Sequence, residues 1–242
     1  MRCKLIACEV LFREMSHACA HAPGQVDLEF LPMGLHEMGG NPMAARLQEA
    51  VDRTPPGVYQ AILLGYGLCG NALDGLRARH TRLVLPRAHD CIALLMGGLE
   101  RYLAYFEDNP GTYYRSIGWL ERGRGLRQLT PAASPLDQSR EALIARYGED
   151  DGSYLHQQLT GYQARYRKLT FIETGLEAGG EFLAEAAGEA AGKGWSFEKF
   201  PGDLGWLRRL VSGDWTDAEF AIAEPGQRFA ARYDGRVVEA VG

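Results

Sequence analysis

Three cysteines, Cys8, Cys69 and Cys91, each stand at or just past the end of a short apolar run. The runs are Leu5-Ile6-Ala7-Cys8, Ala61-Ile62-Leu63-Leu64-Gly65 with Tyr66-Gly67-Leu68-Cys69 behind it, and Leu83-Val84-Leu85-Pro86 followed by Arg87-Ala88-His89-Asp90-Cys91. Such runs read as strands buried on both faces of a parallel sheet. Carboxyl ends of parallel strands share one edge, where open α/β sheets bind ligands. Three thiols brought to that edge form a candidate metal centre. Three thiolates leave one coordination position open, as a catalytic zinc does and as a three-cysteine [4Fe–4S] cluster leaves one iron free. Soft thiolates suit both metals, and zinc is the favoured expectation. The cysteines lie 61 and 22 positions apart, with no Cys-x-x-Cys pair. The case therefore rests on the repeated strand-end context. Its alternative is the ordinary buried cysteine, which packs as a small hydrophobe.

The residues beside the thiols add polar chemistry. Arg87 could bind a carboxylate or phosphate bidentately, and His89 is a candidate general acid or base. Asp90 either orients His89 or caps the helix that follows. His36 or His89 is a candidate fourth ligand. Gly65, Gly67 and Gly70 match a dinucleotide fingerprint, Gly-x-Gly-x-x-Gly, yet the next strand ends Leu85-Pro86-Arg87 without the acidic residue such sites use. These glycines are better read as allowing a ligand to approach the backbone or the chain to turn tightly. Glu9 and Arg13 have the spacing of a helix ion pair; Arg13 is also a candidate anion contact beside Cys8. Tyr66, with Arg13, Arg87 and His89, is expected to line the pocket. Cys3, Cys19, His17 and His21 read as structural or surface residues, and Tyr113, Tyr114 and Trp119 as core.

The elements that must position these groups alternate strand and helix. Strands are expected at 4–8, 26–31, 59–65 and 82–85, with helices at 10–20, 42–53, 71–79 and 91–106 between and after them. The segment 112–119 is a strand or a loop, and 122–134 an exposed loop. Helices are expected at 135–147 and 154–166, and the α/β rhythm resumes at 169–173, 177–191, 196–200, 204–211 and 220–223. The fold class is α/β, a Rossmann-like parallel sheet with helices on both faces. It divides as a lobe at 1–107 carrying the cysteines, a loop and helical insert at 108–166, and a second lobe at 167–242. With 242 residues, 46% hydrophobic content and a net charge of -5, the chain reads as globular and without a nucleic-acid-binding surface. No apolar stretch is long enough to span a membrane, and five cysteines argue against a disulfide framework. The expected compartment is the cytoplasm.

The stretches Ile6-Ala7-Cys8-Glu9-Val10-Leu11, Leu64-Gly65-Tyr66-Gly67-Leu68-Cys69, Leu85-Pro86-Arg87-Ala88-His89-Asp90-Cys91 and Pro110-Gly111-Thr112-Tyr113-Tyr114, with Gly213-Asp214-Trp215 and Pro225-Gly226, resemble the domain-of-unknown-function family numbered 1638. Asn71-Ala72-Leu73 departs from it, where the family is expected to carry a serine and a further glycine. The resemblance implies a cytoplasmic protein of organisms that often use corrinoid-dependent methyl transfer. Together these readings lead to a metalloprotein of one-carbon or methyl-transfer metabolism, in which a zinc-activated thiol acts on a small molecule and a corrinoid protein is a possible partner. The alternatives are an iron–sulfur lyase or dehydratase, a non-catalytic metal or corrinoid carrier, and a metal-free cysteine hydrolase using His89.

Overall fold

The computed structural model describes residues 1–36, 40–122, 139–161, 165–177 and 179–242. Strands β1 (Arg2–Cys8), β2 (Gln25–Leu31), β3 (Ala61–Gly65) and β4 (Leu83–Pro86) form a parallel sheet in the order β2-β1-β3-β4. Every residue of β3 and β4 is buried, as their unbroken apolar sequences require. Between β1 and β2 run a 3-10 turn, Glu9–Leu11, and helix α1 (Phe12–Ala20); α2 (Gly40–Arg53) leads into β3. The chain leaves β1 towards β2 on one side and returns to β3 on the other. The crevice beyond the ends of β1 and β3 is therefore a topological switch point.

After β4 the expected single helix 91–106 divides into α3 (Cys91–Met96) and α4 (Leu99–Asp108). Gly97, at φ 89°, ends α3 in the left-handed conformation that glycine adopts without a Cβ clash. Strand β5 (Thr112–Arg115) follows, then α5, described over 117–122. Helices α6 (Arg140–Tyr147) and α7 (Glu149–Gly161) pack against each other, α7 beginning five residues before the helix expected at 154–166. The exposed loop anticipated at 122–134 lies outside the described residues beyond Arg122, as does the helix expected from 135 up to 138. Strands β6 (Lys168–Glu173) and β7 (Ser196–Pro201), with α8 (Glu181–Gly192) between them, join β5 in a second parallel sheet, β5-β6-β7. Helix α9 (Gly205–Ser212) then packs beside α1, and β8 (Phe220–Ala223) adds to the first sheet, antiparallel to β4.

Three expectations are corrected. The segment 167–242 is not one lobe, because the chain crosses back and β8 completes the first sheet. The helix expected at 71–79 is a series of turns. Asn71 and Gly75 have positive φ, and residues 75–78 instead bond to Phe229 and Gln227. Phe220–Ala223 is not the last strand: β9 (Arg228–Ala231) and β10 (Val238–Val241) form an antiparallel pair after it.

The two parallel sheets meet at their carboxyl-terminal edges. An alanine Cβ at Gly118, behind β5, would lie 1.8 Å from the Val10 carbonyl, just past Cys8. Behind β7, the Asp203 N–H donates to Leu95 O of α3 at 3.0 Å, and Arg101 of α4 donates to Pro201 O at 2.7 Å. Behind β6, the Thr174 hydroxyl donates to Glu14 of α1 at 3.1 Å. Glu14 is fully buried, and its other carboxylate oxygen has no partner among the described residues. Burial pushes its carboxyl up to about 7.

This joint carries a pH signature. The native fold favours protonated Glu14, so its contribution is fully present below about pH 4, near the unfolded value, and is lost as pH rises through about 7. Glu14→Gln keeps the shape without the charge. Relative to the parent, the variant is expected to gain roughly 3 kcal/mol between pH 4 and pH 8 in denaturant titrations, each tenfold difference in proton affinity between native and unfolded chains being worth about 1.4 kcal/mol. Parallel stability–pH curves for the two proteins would refute this assignment.

Candidate metal centre at the sheet edge

The three cysteines reach the switch point by different routes. Cys8 ends β1 and is 2% exposed. Cys69 lies four residues beyond β3, and Cys91 opens α3. Two glycines set their spacing. Gly65 pairs with Ala7, and an alanine there would place Cβ 2.5 Å from the Ala7 Cβ, so β3 lies close against the strand that ends in Cys8. Gly67 packs against the other loop: a Cβ there would lie 2.6 Å from Asp90 N and 2.8 Å from Ala88 O. Two backbone hydrogen bonds continue the pairing past the strand ends, Leu68 N–H to Ala88 O and Cys69 N–H to His89 O, both 2.8 Å. Cys69 (φ 49°), Gly70 (φ 65°) and Asn71 (φ 67°) then turn the chain through three left-handed residues. For a non-glycine residue that conformation costs roughly 1–2 kcal/mol.

The thiols sense one another. Burial pushes Cys8 up to about 12, against the opposing pull of the Val10 N–H. Burial and then the nearby Cys8 raise Cys69. Burial, then Cys69, Asp90 and Cys8, raise Cys91. The structure thus gathers the trio, with Glu9 and Asp90 as its acidic neighbours. Among the described residues, no group of three or more His, Cys, Asp or Glu side chains is arranged to hold a metal ion as it stands. Cys3 begins β1, five residues and so about 16 Å from Cys8 at the usual strand rise. Cys19 lies on α1, where burial raises its thiol to about 12.

Tyr66 joins the trio. It is 1% exposed, and its buried hydroxyl has no hydrogen-bond partner among the described residues. Burial, followed by Cys8, Cys69, Glu9 and Cys91, holds the phenol well above its ordinary value, so it remains a proton donor. Asp90 caps α3, its Oδ1 accepting from Ile92 N at 2.9 Å and Ala93 N at 3.2 Å. His89 is exposed at the rim and contributes its carbonyl to the Cys69 bond. The side chain of His36 is outside the described residues.

Two arginines expected in the pocket are committed elsewhere. Arg13 does not pair with Glu9. It grips Glu121 of α5 with Nε at 3.0 Å and a terminal nitrogen at 3.1 Å, and donates to Leu176 O. Arg87 is 5% exposed and donates to the carbonyls of Asp217, Arg236 and Val238 and to the Asp217 carboxylate. Four of its five N–H donors hold the segments around β8 and β10. Of the two roles expected for the glycines, close approach to a ligand is not open to Gly65 and Gly67, and a tight turn is what Gly70 makes. Gly65 and Gly67 are closed off by protein, while Gly70 serves a left-handed turn with nothing within 4 Å of an added Cβ.

With this geometry in place, the comparison with known proteins is informative at one level. The profile of the family described as protein of unknown function (DUF1638) matches residues 30–211. The chain belongs to the DUF1638 family. The matched span contains Cys69 and Cys91 and begins after Cys8. No curated protein and no solved structure matches this DUF1638 chain. None of its described helices is long and apolar enough to cross a membrane.

Sequence reasoning missed the unpartnered Tyr66 hydroxyl and those of Tyr114 and Ser116 on the facing edge of the second sheet. Satisfaction of a hydroxyl is a three-dimensional property, and no sequence signal announces it.

The packing of this DUF1638 site gives two tests. Gly67→Ala forces a Cβ onto the Asp90 backbone and is expected to cost about 2–4 kcal/mol, whereas Gly70→Ala meets open space and carries only the left-handed penalty of about 1–2 kcal/mol. Equal losses in thermal or denaturant unfolding would show that the loop contact does not constrain the thiols. Arg87→Leu should destabilise by about 3–5 kcal/mol, because it strands buried carbonyl acceptors. Thiol accessibility to a titrating reagent in the folded Arg87→Leu protein should match the parent; a changed pattern would place Arg87 in the thiol site after all.

Proposed function

We propose that the protein binds a metal centre through Cys8, Cys69 and Cys91. The observation that carries this reading is that three thiols from three separate segments, Cys8 buried and Cys69 and Cys91 half-buried, lie near enough at the switch point to influence one another, with acidic Glu9 and Asp90 beside them. Ionising such a group unaided is unfavourable, because each thiolate opposes the next. A divalent metal ion supplies the missing positive charge and deprotonates its thiol ligands. The donor set suits zinc or an iron–sulfur cluster and leaves a coordination position for a small molecule. It requires a reducing compartment such as the cytoplasm, where thiols persist. A zinc ion held there would lower the pKa of what it binds and so generate a nucleophile near neutral pH. Methyl transfer with a corrinoid partner is the specific form of that chemistry suggested by the family resemblance.

The protein's own residues have separable tasks in this reading. The three cysteines hold the metal. Gly65 and Gly67 set the distance between the segments that carry them, and Asp90 fixes the start of α3 and with it Cys91. A metal-free cysteine hydrolase fits less well: a nucleophilic thiol needs a depressed pKa, and burial raises all three.

Anaerobic purification with elemental analysis and an absorption spectrum tests the proposal. The expected result is about one zinc per chain and no colour, by the single-site count. A brown protein with about four irons per chain would instead select the iron–sulfur form. Alanine at position 8, 69 or 91 should abolish stoichiometric metal, while Cys3→Ser and Cys19→Ser should retain it. Protein with neither metal above background and with all five thiols titrating freely would sink the proposal.

A further inference from the structure

A cleft of about 380 Å³ lies where β8 and β10 meet the segment that follows α9. Small-molecule sites run from about 300 to 1,000 Å³, so this volume suits a compound of one or two rings. Arg87 is one of its walls, and none of the three thiols is.

Four charged residues line the cleft: Arg87, Asp217, Arg236 and Glu239. Glu239 accepts from Arg232 at 3.1 Å. The two lining arginines share a single carboxylate. Arg87 Nη2 donates to Asp217 Oδ1 at 2.9 Å, and Arg236 Nη2 donates to Oδ1 and Oδ2 at 2.9 and 3.0 Å. Arg236 and then Arg87 hold the Asp217 carboxyl below its ordinary value, so it is charged at neutral pH. The two ends of this contact differ in freedom. Arg87 is fixed by the carbonyls of Asp217, Arg236 and Val238. The Asp217 side chain is 74% exposed, and an ion pair so open to water is easily exchanged. Asp217 thus occupies a place already shaped to the two oxygens of a carboxylate.

The remaining walls describe the body of the ligand. Trp215 spends its Nε1 proton on Leu210 O at 2.7 Å, so its ring is what it offers. Phe220 and Ile222 add apolar surface. A flat apolar group suits these walls. Asp217 remains tethered nearby after it is displaced, and with Glu239 it disfavours a second negative charge.

We propose that this cleft binds a small aromatic carboxylate, which takes the place of the Asp217 carboxylate on Arg236 and Arg87 and lays its ring against Trp215. Asp217 is the latch that the ligand displaces. The site goes beyond the metal-centre reading and stands whether or not the thiols bind metal.

Calorimetric titration of the whole protein with benzoate, and with benzamide as its neutral counterpart, tests the assignment. Benzoate is expected to bind about tenfold more tightly, the factor that one charge-assisted hydrogen bond supplies. Arg236→Gln should weaken benzoate about tenfold and leave benzamide unchanged. Asp217→Asn keeps the shape and removes the competing charge, so it should tighten benzoate about tenfold. A residue that only supports the fold would not improve binding when changed. Benzoate no tighter than benzamide, no heat from either at millimolar concentration, or no gain in folded Asp217→Asn protein would overturn the proposal. Phenyl phosphate binding more tightly than benzoate would overturn the carboxylate assignment in favour of a phosphate ester.

Discussion

The approach of Gly67 to the Asp90 backbone is the contact on which the site depends. Neighbouring parallel strands end in loops that lead to helices and have no reason to stay together. Here the two loops stay paired through Leu68–Ala88 and Cys69–His89, and only a residue without a Cβ permits it. The two hydrogen bonds contribute about 2 kcal/mol together at the usual net value. Left-handed Cys69 and Asn71 cost about as much. Local bonding therefore comes out near balance, and burial decides. Tyr66, Leu68 and Ala88 are all at most 5% exposed, and burying a leucine-sized side chain contributes about 1.5–3 kcal/mol. The loop that carries Cys69 is held by its apolar residues, which leaves its polar groups free to serve chemistry.

The same economy governs charge. Arginines beside a candidate site invite assignment to an anion, and both do other work. Arg13 ties α1 to α5 and to the segment behind β6, so it clamps the two sheets edge to edge. Arg87 closes the end of the first sheet by satisfying carbonyls that β8 and β10 leave open. Removing both cations from the thiols leaves a site whose electrostatic deficit is positive charge. Lowering a thiol's pKa by a neighbouring cation is the usual way to make it reactive. Among the described residues the charged side chains that act on these thiols are the acidic Glu9 and Asp90, and a bound metal would supply the positive charge.

Much of this was legible in the amino-acid pattern, for definite reasons. The strand runs around Ile6, Leu63 and Val84 are apolar throughout because they are buried on both faces, and that signal requires no partner to be known. The placement of Cys8 at the end of β1 and of Cys69 and Cys91 in the segments beyond β3 and β4 followed from the strand pattern. Long-range pairing was not legible. Phe220–Ala223 reads as a strand, but nothing local says that it pairs with β4 in the first sheet and not with β7. Asn71–Arg79 carries helix-compatible residues, and the bonds to Phe229 and Gln227 override that preference. Arg87 was misassigned because its acceptors lie some 130–151 positions away in the chain.

The second sheet gains a role from its orientation. Two open α/β sheets joined at their carboxyl edges each present to the other the face that would otherwise meet water. The segment after Cys8 is covered by Gly118, and α3 and α4 are held by Asp203 and Pro201. Tyr114 sits 6.4 Å from Tyr102 between ring centroids, and its own hydroxyl, like that of Ser116, is buried without a partner among the described residues. Tyr102 in turn lies within the influence of Asp90 and Cys91. Unpaired hydroxyls thus approach the crevice from both sheets, while the carbon framework around them excludes solvent. Low dielectric strengthens every interaction inside such a crevice, including the repulsion among its thiolates. Burial of Cys8 and the mutual influence of the three thiols thus make their ionisation depend on what lies beside them.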